Sequence, residues 1–146
     1  MNRKTVVRGG MSALALLMVP ARVLGSEDTT PKPGGVYRLK PGIYAPTRLP
    51  CGSAPIPTLR IYDGAAIHDA STRSCRTTVR ARVRDSYSVV QSCFVNGRVP
   101  RRATMERQTI VLADALSFSV GVDGRRTSYR YCPTYMLPSN ISRVFR

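Results

Sequence analysis

Apolar residues in this chain recur at alternate positions in short runs rich in Val, Tyr, Thr and Ile, and no stretch repeats them at helical spacing. Pro-Gly, Asp-Gly and Asn-Gly pairs separate the runs and favour turns. The pattern predicts strands over residues 36–39, 43–46, 58–62, 75–84, 87–93, 104–112, 116–122 and 127–131. Turn lengths then test whether neighbouring strands can show their apolar faces to one side, because a slip of one residue turns every side chain over. In the fourth run Cys75, Thr77, Val79, Ala81 and Val83 share one face and Arg76, Thr78, Arg80, Arg82 and Arg84 the other. A three-residue loop at 84–86 sets Val83 opposite Tyr87 and Ala81 opposite Val89. Asp123-Gly124 is the strongest hairpin signal in the chain and places Val120 by Thr127, Phe118 by Tyr129 and Leu116 by Tyr131. A link at 113–115 joins Leu112 to Leu116.

These registers describe an all-β fold, a small antiparallel meander with one apolar face that must be buried. With about eight strands in sequential hairpins and no helix to cover them, a closed or partly closed barrel is expected in preference to a sandwich. One domain over residues 36–132 follows. A Pro- and Gly-rich lead-in at 26–35 precedes it, and a Pro-containing tail at 133–146 comes after it.

All four cysteines fall inside the domain. Their even number in a short chain predicts two disulfides, with three possible pairings. No Cys-x-x-Cys ligand pair is present, so neither a metal nor a cofactor is expected. The hairpin register favours Cys75–Cys93, a diagonal pair that a frayed or bulged strand end would bring within reach, and leaves Cys51–Cys132 to tie the first strands to the last. Loops of about 19 and 82 residues make these bridges worth roughly 3 and 4.5 kcal/mol, the longer acting as the barrel's clasp.

The N-terminus explains an oxidising setting. Arg3, Lys4 and Arg8 precede the apolar run from Met11 to Val19, followed by Pro20 and a small-residue exit, the layout of a cleavable signal peptide over 1–25. Cleavage after Gly25 is preferred and after Ala21 is the alternative. Arg22 interrupts the apolar stretch before it reaches the roughly 20 residues of a transmembrane span, so no membrane anchor is expected. The expected location is secreted or periplasmic.

Removing Arg3, Lys4, Arg8 and Arg22 lowers the formal charge only from +15 to +11, carried by 17 Arg and 2 Lys. Such a field favours encounter with anions. Arg76, Arg80, Arg82 and Arg84 on one strand, with Arg126 and Arg130 further on, form the candidate anion-binding face, and Arg98, Arg101 and Arg102 add charge nearby. The expected partner is an anionic cell-envelope polymer or an acidic protein surface. Sequence-specific nucleic-acid binding is not expected, since exposed stacking aromatics are not evident.

Catalysis has a narrower base. His68 is the only histidine, and no Gly-x-Ser-x-Gly elbow accompanies it. The alternative to a binding protein is a secreted ribonuclease-like hydrolase with Glu106 as base, His68 as acid and Arg107 on phosphate. Glu106 and Gln108 also pose a packing question, because simple alternation puts them on the inward face with Ile110 and Leu112. A β-bulge near Gln108 that rotates them outward is the preferred answer. A polar barrel mouth joined by Gln91, Thr127 and Tyr129 is the other.

Overall fold

The computed structural model describes residues 32–95 and 103–144. Residues 1–25, where a signal peptide is expected, the start of the lead-in and Arg98, Arg101 and Arg102 lie outside the described residues. Eight strands run β1 (Gly42–Pro46), β2 (Arg60–Tyr62), β3 (Ile67–His68), β4 (Thr72–Val83), β5 (Ser86–Val95), β6 (Ala103–Asp114), β7 (Ser117–Val122) and β8 (Arg125–Cys132). They form one antiparallel sheet in the order β3-β2-β1-β8-β7-β6-β5-β4. The sheet curls into a nearly closed barrel, with a single unsealed seam between β3 and β4. A short helix, α1 (Ser139–Val144), follows.

The pairing of β1 with β8 that closes most of the circle sets Ile43 opposite Cys132 and Pro46 opposite Tyr129. Cys51–Cys132 and Cys75–Cys93 are the two disulfides, with Cα separations of 5.7 and 4.2 Å. The first is not the clasp of the barrel, because β1 and β8 are already hydrogen-bonded; it fastens the β1–β2 connection to the end of β8. The second lies beside the seam, packed with Ala66.

The Asp123-Gly124 turn is as expected. Both residues have positive φ, 46° and 77°, and Phe118 faces Tyr129 while Val120 faces Thr127. Two other expected registers are displaced. Val83 pairs with Ser86 and Arg82 with Tyr87, around a two-residue turn in which Arg84 takes φ 53°. A register shift between Val79 and Ala81 then turns the strand over, so Val83 is 72% exposed. Leu112 faces Phe118, not Leu116, because another shift precedes Asp114. The shift between Arg73 and Arg76, with Ser74 at φ 50°, is the bulge that sets Cys75 against Cys93.

Residues 36–39 form no strand of the sheet. Gly34 bridges Leu39, the Val36 amide donates to the Gly64 carbonyl and the Lys40 amide to the Ala115 carbonyl. The segment crosses the end of the barrel formed by the β2–β3 and β6–β7 turns and inserts Tyr37 and Leu39, both fully buried. There they join Tyr44, Tyr62, Tyr87, Ile110 and Phe118 in the main core. The hydroxyl of Tyr62 accepts from the Tyr37 amide at 2.9 Å and offers its hydrogen to the carbonyls of Gly34 at 2.6 Å and Tyr37 at 2.7 Å. A Cβ on Gly35 would collide with the Gly64 carbonyl and with this hydroxyl, and φ is 84°, so glycine is required there. A second, smaller core on the outer side of β1 gathers Ile43, Ala45, Cys51, Leu59, Leu137 and Ile141. Residues after Cys132 thus pack on the barrel. Among the described residues no helix is long and apolar enough to cross a membrane.

Candidate functional site

The plugged base leaves the other end of the barrel open, and side chains change character along the way. Inward positions of β6 run from Leu112 and Ile110 near the base to Gln108 and Glu106 at the mouth, and those of β8 from Tyr129 to Thr127. The bulge expected near Gln108 is absent: β5 and β6 pair without a shift from Ser86–Val111 to Phe94–Ala103, with Gln91 opposite Glu106 and Val89 opposite Gln108. Burial cost does not force one, because Glu106 is exposed to solvent in the mouth and Gln108 is half-buried. The polar mouth is what the chain builds.

Gln91 marks its floor. It is buried, and its amide donates to the Ile67 carbonyl at 2.7 Å, spanning the seam that backbone pairing leaves unsealed. Thr77 reaches its side-chain carbonyl at 3.5 Å. One cavity of about 140 Å³ lies above it, lined by Arg60, Asp69, Glu106 and Val120 among others, and a wider one of about 560 Å³ continues outward past Tyr129, Thr127 and Arg125. Arg60 is fixed on the wall: it donates to the Leu59 carbonyl at 3.0 Å and lies over the Tyr129 ring at 5.6 Å. Burial works to raise the Asp69 carboxyl, but hydrogen bonds from the Ser71 hydroxyl and amide, the Arg60 charge and the Thr72 hydroxyl outweigh it and hold Asp69 below the usual carboxylate range. The Gln108 amide donates to one oxygen of Glu106.

His68 and Glu106 both line the inner cavity. Their chemistry is not joined. Because Ile67 points inward, His68 leaves β3 from the other side. Its Nδ1 faces the Asp69 carbonyl at 3.1 Å, which can only accept and so places the hydrogen on Nδ1. Its Nε2 lies 3.7 Å from the Asp63 carboxylate. Nδ1 is thus engaged by the residue after the histidine, and Nε2 faces the histidine's own hairpin, pairing with Asp63 when the ring is protonated. Arg107 alternates with Glu106 and therefore stands on the outside of β6, away from the mouth. The cation that accompanies Glu106 is Arg60, which sequence spacing alone did not bring near it.

The arginine face is also rearranged. Arg76 faces outward, but the register shift around Arg80 turns Arg82 to the side of Tyr87, and its guanidinium lies over that ring at 4.8 Å. Arg80 is at the shift itself and Arg84 is in the following turn, both exposed. Arg126 and Arg130 alternate with inward Thr127 and Tyr129 and stand outside β8, where Arg130 donates to the Leu49 carbonyl at 3.1 Å. Arg107 and Arg126 flank a shallow outer groove of about 340 Å³, floored by Gly121, with the hydroxyls of Ser88 and Thr109 beside it and Asp123 at its end. A Cβ on Gly121 would stand 3.6 Å from the Thr109 carbonyl and begin to fill it. Among the described residues no arginine is ion-paired with a carboxylate, and no group of His, Cys, Asp and Glu is arranged to hold a metal ion.

No protein-family model matches the chain, and no curated protein sequence or solved structure matches it.

Proposed function

We propose that this chain is an exported binding protein that associates with an anionic partner, a cell-envelope polymer in preference to an acidic protein, through the outer arginines. The observation that carries the reading is the groove lined by Arg107, Arg125 and Arg126: exposed guanidinium groups that make no salt bridge among the described residues, with Asp123 at its end, set over a glycine floor with hydroxyls alongside. Guanidinium groups fork onto phosphate, sulfate or carboxylate, and a side-chain-free floor lets a backbone-like polymer lie close. Arg76 extends the same outer face across β5 to β4. Two disulfides are compatible with function outside the cytoplasm.

A hydrolase reading has one observation in its favour, the shared cavity of Glu106 and His68, and the orientation of both imidazole nitrogens and of Arg107 speaks against it.

Heparin chromatography of the oxidised chain tests the binding reading. Replacing Arg107 and Arg126 together by Ser is expected to lower the salt needed for elution by more than replacing Arg38 and Arg48, two exposed arginines elsewhere that remove the same charge. Equal losses from the two pairs would mean that net charge alone is at work and would overturn the groove. RNA supplied as the polyanion extends the test: cleavage abolished by both Glu106→Gln and His68→Ala would replace binding by hydrolysis.

A further inference from the structure

The geometry points to a second binding site, beside the outer groove and sharing Asp123 and Arg125 with it: we propose that the mouth receives the end of a neutral, hydroxyl-rich saccharide. Its lining is unlike the rest of the molecule. Three of the six described carboxylates, those of Asp69, Glu106 and Asp123, open onto the two mouth cavities, in a chain whose surface is otherwise dominated by arginine. Arg60 and Arg125 stand among them, so the two signs are interspersed. A strongly charged ligand of either sign meets repulsion from two or three of these five groups. Hydroxyl groups meet none, since each can donate to a carboxylate and accept from a guanidinium at once.

The supporting geometry agrees with that chemistry. Arg60 is held by the Leu59 carbonyl and by the face of Tyr129, and Glu106 is held through one oxygen by Gln108, while its other oxygen has no partner among the described residues. These groups are therefore positioned before a ligand arrives, which spares part of the ordering cost of binding. Val120 and Val122 supply an apolar wall for the carbon-bound hydrogens of a sugar ring. The outer cavity of about 560 Å³ falls within the range of roughly 300–1,000 Å³ common to small-ligand sites.

The test is an amide NMR titration of the labelled oxidised chain with two neutral disaccharides, of glucose and of N-acetylglucosamine, and with galacturonic acid and glucosamine as charged counterparts. Saturable shifts confined to the mouth, at Gln91, Glu106, Val120 and Thr127, are expected with at least one neutral disaccharide, and weaker ones with the charged sugars. Glu106→Gln and Arg60→Gln should each weaken this binding by about tenfold or more, the usual consequence of losing a hydrogen bond to a charged group. Elution from heparin should come no earlier than in the parent for Glu106→Gln, since the change removes a negative charge, and this separates the site from the outer groove. If Arg60→Gln loses its dispersed spectrum, Glu106→Gln decides alone, because that side chain is exposed. Absence of saturation with both neutral disaccharides, preference for a charged sugar, or binding indifferent to Glu106→Gln would each overturn the proposal.

Discussion

Tyr62 does with one hydroxyl what an extra strand would do with its backbone. By accepting from the Tyr37 amide and facing the carbonyls of Gly34, Tyr37 and Gly64, it holds the crossing segment over the base without any sheet pairing. Tyr37 itself differs. Its hydroxyl is buried and has at most a weak bond with Thr77, although its ring packs against Tyr62 at 5.7 Å and Tyr87 at 5.2 Å. Burial pushes the Tyr37 phenol up to about 12 from 10.0 and raises Tyr44 and Tyr62 as well. Ionisation is thus disfavoured in the folded state, so the unfolded chain releases these protons first. Stability contributed by neutral Tyr37 is fully present below pH 10.0 and declines as pH rises through about 12. Urea unfolding followed along an alkaline series should show that decline, with a smaller slope for Tyr37→Phe. At neutral pH the same variant should be about as stable as the parent, since it removes a desolvated hydroxyl with at most a weak bond to Thr77. A loss above about 1 kcal/mol at neutral pH would show that Thr77 is a full hydrogen-bond partner.

Within the strands, what alternation reveals depends on whether the pairing is interrupted. The β7–β8 register was legible because Asp-Gly names its own turn, and the apolar faces on either side agree. The β4–β5 register was not, because Ser74 and Arg80 carry no composition signal for the shifts beside them. Each shift has a large effect: one brings Cys75 to Cys93, and the other divides the arginine row by sending Arg82 to Tyr87. β3, only two residues long, offers too little pattern to recognise. Inward Glu106 and Gln108 follow from unbroken alternation; the bulge expected there assumed a dry interior, and the open mouth removes that premise. Arg84 offers a direct test of the two-residue turn. A non-glycine residue at φ 53° carries a steric penalty of about 1–2 kcal/mol. Arg84→Gly should therefore raise the thermal midpoint, whereas a three-residue loop without that conformation predicts a fall from added backbone freedom.

The barrel as a whole is held by unlike means at its different joints. Backbone ladders join seven of the eight possible neighbours around the circle, and side chains bridge the last: Gln91 reaches Ile67, while Ala66 packs on the Cys75–Cys93 bridge. The antiparallel fold class and both disulfide pairs were readable from spacing, turns and cysteine count. The second core was not, since Leu137 and Ile141 lie isolated among Pro, Ser and Asn and acquire meaning only when the β1–β2 connection folds over them. Cys51–Cys132 is the covalent part of that arrangement. Replacing both cysteines by Ala should lower unfolding free energy by about 4 kcal/mol, from the long loop it closes, yet preserve the β-sheet circular dichroism because β1 and β8 remain paired. A loss of sheet signal in the variant would assign the bridge a role in forming the barrel and not only in securing it.

The crossing segment at the base has a directional consequence. Since the described chain enters the barrel beside Gly34, under the plug, any attachment through the residues before it would grip the molecule from below. Mouth and outer groove would then look away from the point of attachment, toward whatever approaches from the far side. A bulky tag placed directly before residue 32 should accordingly leave both surfaces accessible.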